Sequence, residues 1–297
     1  MSLLSRLFGP RGASAAPVLE RVGGHRPFLK RDSQLCRYIG DGGFVLPEDN
    51  PGIRLEPDFV PDEALGEIVH ATYTAYSEAL AGGAGREQAP PWGHGDDLRV
   101  DELPPPVAKL AHLIAGCGAF DVGPLRDLTI EGRDRSLFHH EPRVWPTEGG
   151  VNVFVVSLLS SAVATFTPAD DELAARGLER RTGVLEVGER SWSDADIDVL
   201  LQPRTLMHLS GRARDTWLHG IRPGVTVEPA AGAPSARREA AAPAVCDWWG
   251  APDYLLQRGE RRFAVVLSFG AGRGGGRRAS TSRANRARGA LAGATFF

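Results

Sequence analysis

The chain has 297 residues, of which 42% are hydrophobic and 24% charged, with 34 Lys plus Arg against 37 Asp plus Glu. That length is enough for one substantial core, and a formal net charge of −3 excludes a protein that coats nucleic acid through its overall charge. Cys36, Cys117 and Cys246 have no CxxC spacing, so neither a disulfide framework nor a zinc cluster is expected. A reducing, intracellular setting, cytoplasm or nucleus, fits them best.

Residues 1–50 read as a flexible N-terminal segment. Up to Pro17 it has no acidic residue and carries Arg6 and Arg11 among small residues, which has the flavour of an organellar transit peptide. An ordinary disordered terminus is the alternative. The catalytic domain is expected over 51–269. Pro61 and Asp62 are start signals for a helix in which Leu65, Ile68, Val69, Thr72 and Tyr76 recur at helical spacing. Residues 79–103, with the Trp92-Gly93-His94-Gly95 turn, read as a long irregular loop. A second helix over 106–115 carries Val107, Leu110, Ala111 and Ile114 on one face and stops at Gly116-Cys117-Gly118.

From Asp127 the period shortens. Strand-like runs fall at 128–130, 151–157, 162–166, 198–201, 205–209, 215–219 and 262–269, separated by turn-rich residues. Two helices followed by seven or eight short strands predict an α+β fold. Its core would be a double-stranded β-helix (jelly roll) with the N-terminal helices packed on one sheet. The stretches 169–196, acidic and Arg-rich, and 229–253, dominated by Ala and Pro, read as surface insertions. Residues 270–297 form a low-complexity basic tail, with Arg273, Arg277, Arg278, Arg283, Arg286 and Arg288 among Gly, Ala and Ser. The longest apolar run, 151–167, is interrupted by serines and too short to span a bilayer, so no membrane partner is expected. A monomer is expected.

The chemistry-bearing pattern is His139-His140-Glu141, a distant His219 in Trp217-Leu218-His219-Gly220-Ile221, and an Arg opening the run Arg262 to Phe269. Two histidines and one carboxylate on one face leave open positions for co-substrate and O2 on a non-haem Fe(II). Strand side chains alternate, so His139 and Glu141 share a face and His140 points away. In an alternative register His140 is the histidine. The anchor for an acidic co-substrate is Arg262, with Arg261 as its alternative.

Leu200-Leu201-Gln202-Pro203-Arg204-Thr205-Leu206-Met207-His208-Leu209, followed by Asp215-Thr216-Trp217-Leu218-His219-Gly220-Ile221, resembles the AlkB family of Fe(II)/2-oxoglutarate-dependent dioxygenases, and most its sixth-homologue branch. Trp145-Pro146-Thr147, Val156-Ser157-Leu158 and the run from Ala162 to Pro168 are similar to later strands of that family. Pro57-Asp58-Phe59-Val60, Trp92-Gly93 and Leu103-Pro104-Pro105 match it more loosely. The resemblance covers about 57–269.

By that resemblance the metal ligands are His139, Glu141 and His219, the 2-oxoglutarate anchor is Arg262 or Arg261, and Trp92 and His94 lie where the family builds its substrate lid. The implied activity is oxidative demethylation or hydroxylation of a methylated nucleobase, in RNA or DNA, or of a protein side chain, with O2 as co-substrate. Three positions depart from the family pattern: Glu141 stands in place of Asp, no Asn-x-Tyr pair occurs near Thr129 to Arg133, and Ser268 stands in place of a second Arg. A jelly-roll pseudo-enzyme that binds nucleic acid or protein without turnover is the alternative these departures suggest.

Overall fold

The computed structural model describes residues 37–39, 50–81, 98, 100–134, 140–143, 145, 151–185, 188–193, 195–221, 225–227, 244–248 and 255–272. Helix α1, Asp62–Ala81, begins where Pro61 ends the preceding extended chain, with Asp62 and Glu63 in the first turn complementing the positive end of the helix dipole. The Pro61 carbonyl accepts from the amides of Ala64 and Leu65. Helix α2, Pro105–Gly116, has proline in its first turn, where the missing amide costs nothing. Its Val107, Leu110, Ala111 and Ile114 are buried, and Gly118, at φ 66°, turns the chain away.

Two five-stranded sheets follow. The first has the order β1 (Arg37–Ile39), β9 (Ile197–Leu201), β6 (Ala162–Thr167), β11 (Leu218–Ile221), β4 (His140–Arg143). The second runs β2 (Ile53–Glu56), β10 (Leu206–Leu209), β5 (Asn152–Leu158), β15 (Arg261–Ala271), β3 (Val122–Asp134). Within both, β1 beside β9 is parallel and the other described pairings are antiparallel. The result is a mixed α/β protein of antiparallel sheets and few helices, consistent with a jelly-roll-like arrangement.

Alternation along the strands sorts the apolar residues into two cores. On β15, Phe263, Val265, Leu267 and Phe269 join α1, α2, Leu128, Ile130, Phe154 and Val156 in a core beneath the helices. Ala264 and Val266 instead join Val153, Val155, Met207 and Leu209 from their own sheet and Ala164, Phe166, Ile197 and Val199 from the first. The second core therefore lies between the sheets, and the molecule has three layers: helices, sheet, sheet.

The segment 1–50 read as flexible contains a strand at Arg37–Ile39, where Tyr38 and Ile39 have β-favouring side chains and pair with β9. The 169–196 stretch holds helix α3, Asp170–Ala175, and a hairpin of β7 (Arg181–Leu185) and β8 (Gly188–Trp192). The 229–253 stretch holds β13 (Ala244–Trp248), the middle strand of a small sheet between β12 (Val225–Val227) and β14 (Leu255–Gln257). The strand expected over 215–219 is shorter: Arg212–Asp215 makes a helical turn, α4, and β11 starts at Leu218. Gly211, at φ 53°, directs the chain into that turn. No helix among the described residues is long and apolar enough to cross a membrane.

Candidate functional site

His219 lies in the middle of β11 and is 4% exposed. It stands opposite Phe166 of β6, which in turn stands opposite Ile197 of β9, and both neighbours belong to the inter-sheet core. Directly opposed residues share a face, so the imidazole points between the sheets. Trp145 stacks on it with ring centroids 4.1 Å apart and planes 2° from parallel. Phe166 covers it at 6.1 Å.

Trp217, two residues before His219, is fully buried in the same core. Its indole Nε1 donates to Glu172 Oε2 of α3 at 2.8 Å. Glu172 Oε1 accepts from Arg212 at 2.8 Å and from Arg176 at 2.5 Å, and both guanidinium groups lie 6.0 Å from the Trp217 ring. The helix that begins the 169–196 stretch thus fastens the start of the His219 strand.

The strand bearing the His-x-carboxylate motif is the immediate neighbour of β11. Arg143 pairs with His219 and His140 with Ile221, with a register irregularity between the two pairs. Glu141 is therefore placed on the strand beside His219. His139, Trp92 and His94 lie outside the described residues, as do the side chains of His140 and Glu141. Among the described residues no group of three or more His, Cys, Asp or Glu side chains comes together.

The second sheet contributes from the other side. Arg262 is 2% exposed and alternates with Ala264 and Val266, so it belongs to the inter-sheet face. Ser268 is buried on the same face, opposite Val153 and Asp127. Arg261 is on the other face, exposed, with its guanidinium 5.9 Å from the Tyr73 ring of α1. Of the two arginine registers open in the sequence, the interior one is Arg262.

Arg204 and His208, from the run that carries the family resemblance, are structural in their surroundings. Arg204, at φ 71°, is held by Asp58 and, at 3.0 Å, by Asp62, and its backbone amide donates to the Ser157 carbonyl at 2.8 Å. The Gln202-Pro203-Arg204 turn therefore clips β5 to the start of α1. His208 faces the helix layer, stacked on Phe154 at 4.6 Å with Nε2 3.0 Å from Asn152 Oδ1. Burial, assisted by the positive charge of Arg54, lowers its pKa to about 4, so the ring is neutral and donates from Nε2.

Two buried polar residues near the candidate site, Glu131 and Ser157, and the half-buried Glu172 of α3 were given no role by the sequence reading. Glu131 and Ser157 fall on the inter-sheet face by alternation with Ile130 and Val156, a signal present in the sequence once the strand bounds are known. Glu172 had no local signal, because its partner Trp217 is 45 residues away.

The placement fits an iron ion in having a buried imidazole on an inter-sheet face, beside a strand whose sequence carries a carboxylate. For the acidic co-substrate, a buried guanidinium on the facing sheet fits equally.

No model of a known protein family matches this chain, and no curated protein matches it. Among solved structures, a Pseudomonas putida prolyl-4-hydroxylase is similar with a TM-score of 0.33 and 11% identity, over 76% of this chain and 95% of that one.

Proposed function

We propose that the chain is an Fe(II)/2-oxoglutarate-dependent oxygenase on a double-stranded β-helix of AlkB type, acting on a methyl group of a nucleobase or protein side chain. The observation that carries this reading is that His219 and Arg262 face the same inter-sheet layer from opposite sheets, while the His139-His140-Glu141 segment leads into the strand paired with that of His219. Bound there, Fe(II) would supply the oxidising chemistry that inserts one oxygen atom of O2 into a methyl C–H bond while the other enters succinate as 2-oxoglutarate loses CO2.

The protein's own part is to hold and to shield. His219, fixed in plane by Trp145, offers a ring nitrogen, with His139 and Glu141 as the other ligands. The buried Arg262 guanidinium anchors a carboxylate in a bidentate geometry that Lys could not match. The apolar residues of both sheets around it exclude water, which strengthens that charge pairing. A hydroxymethyl product on nitrogen would release formaldehyde without further help from the protein.

The test is anaerobic binding of 2-oxoglutarate with and without Fe(II). Tighter binding with iron, lost in His219→Ala and in Arg262→Gln, supports the reading. Binding that is indifferent to iron and to both variants contradicts it. Glu141→Asp should support turnover at least as well as the native residue, because the shorter carboxylate restores the commoner ligand length.

A further inference from the structure

Trp217 and Trp145 are both buried in the layer between the sheets, and the fold treats their indoles differently. Trp217 is fully buried, and its Nε1–H is taken up by Glu172 Oε2 at 2.8 Å. Trp145 is 9% exposed and belongs to the same core, yet its Nε1 is buried with no hydrogen-bond partner among the described residues. An indole N–H can only donate, and a buried donor is costly unless an acceptor meets it.

The stack defines where that acceptor lies. The Trp145 ring rests on the His219 imidazole, with centroids 4.1 Å apart and planes 2° from parallel, so whatever accepts from Nε1 sits beside the imidazole. A hydrogen bond follows the N–H bond, which lies in the indole plane. A metal ion held by His219 lies in the imidazole plane, and oxygen atoms that share the ion project to either side of that plane. One of those sides is the side of the indole. The donor and the stack together therefore describe an oxygen acceptor on a molecule bound next to His219.

We infer that Trp145 binds the co-substrate, its indole N–H donating to a carboxylate oxygen at the 2-oxo end of the acid. The inference rests on the oxygenase reading above, which puts that end of the acid at His219 and the other end at Arg262. A carboxylate is the favoured acceptor, because its charge makes the hydrogen bond roughly twice as strong as a neutral one. Apolar residues of the same core, among them Val153, Val155, Ala164 and Phe166, keep competing water away. Trp145 then has two separable tasks: its face orients the imidazole, and its edge holds the acid.

Trp145→Phe separates these tasks, since a phenyl ring keeps a face and has no N–H. The experiment is anaerobic calorimetric titration of the full chain with Co(II), and of the Co(II)-loaded chain with 2-oxoglutarate, for the wild type and Trp145→Phe. Co(II) affinity is expected to stay within about threefold, and 2-oxoglutarate affinity to fall roughly tenfold, about 1.4 kcal/mol. A 2-oxoglutarate affinity within about twofold of wild type overturns the inference. So does an equal loss for Co(II) and for the acid, which assigns the whole effect to the imidazole. Either result leaves the oxygenase reading standing, whereas a Co(II)-loaded wild type that does not bind 2-oxoglutarate overturns both. Should Trp145→Phe not fold, 3-benzothienylalanine at position 145, which replaces the N–H by sulfur and keeps the fused ring, is titrated instead and read by the same outcomes.

Discussion

Trp145 lies flat on His219, with ring planes 2° from parallel and centroids 4.1 Å apart. Trp145 belongs to the inter-sheet core, so the stack fixes the plane of an imidazole that strand geometry alone would leave to rotate about χ2. Trp145→Phe should keep most of this effect. Trp145→Leu should lower stability by about 1–3 kcal/mol in urea melts and weaken Co(II) binding roughly tenfold. Unaltered Co(II) affinity would mean that the stack is only packing.

Glu172 fastens the His219 strand through the Trp217 indole, at 2.8 Å. Glu172→Ala leaves the buried indole N–H without its acceptor and removes the shared partner of Arg176 and Arg212, a loss of about 1–3 kcal/mol. Glu172→Gln retains an acceptor and should recover more than half of that loss. Thermal melts of the two variants provide the comparison, and equal destabilisation would show that charge, not the indole hydrogen bond, matters.

How much of this was legible in the sequence differs by element. Helices α1 and α2 and strand β15 were plain, because apolar periodicity and start and stop residues agreed at each of them. Strand β3 runs from Val122 to Asp134, yet only 128–130 read as strand, since Pro124, Gly123 and Gly132 disguise the rest. Gly132 has its own reason: a Cβ there would meet the Tyr76 ring at 2.6 Å and the Phe263 ring at 2.9 Å. The hairpin and small sheet in the two supposed insertions were hidden by short strands rich in Arg, Gly and Ala. At the site, the order of His219 and Arg262 was readable, but the choice between Arg261 and Arg262 needed the sheet, because one residue of slip exchanges core for surface.

Gly52 sits at φ 118°, and a Cβ at that position would strike the Ser210 backbone carbonyl. Its own carbonyl accepts from the Ser210 amide at 3.0 Å, so the contact cannot open without loss of that bond. Gly52→Ala should therefore destabilise the chain by about 2–4 kcal/mol, measured by urea unfolding. A change below about 0.5 kcal/mol would show that β2 and the α4 turn shift freely.

His208 gives a pH dependence with a definite sign. Its folded pKa is lowered from 6.5 to about 4 by burial and, secondarily, by Arg54. Between those values the unfolded chain binds a proton that the folded chain refuses, so stability falls as pH falls through this window. The loss is on the order of 2–3 kcal/mol at pH 4 relative to pH 7. Urea midpoints of the wild type and His208→Gln across this range should converge at low pH, because the variant lacks this contribution. Parallel curves would contradict the assignment.

The central claim, that His219 and Arg262 frame an oxidising site, is tested most directly by 2-oxoglutarate-dependent succinate formation with Fe(II) and O2. The expected result is iron-dependent succinate from the wild type, lost in His219→Ala with the far-ultraviolet circular dichroism unchanged. Succinate formed equally by His219→Ala, or none formed by a folded, iron-loaded wild type, would contradict it.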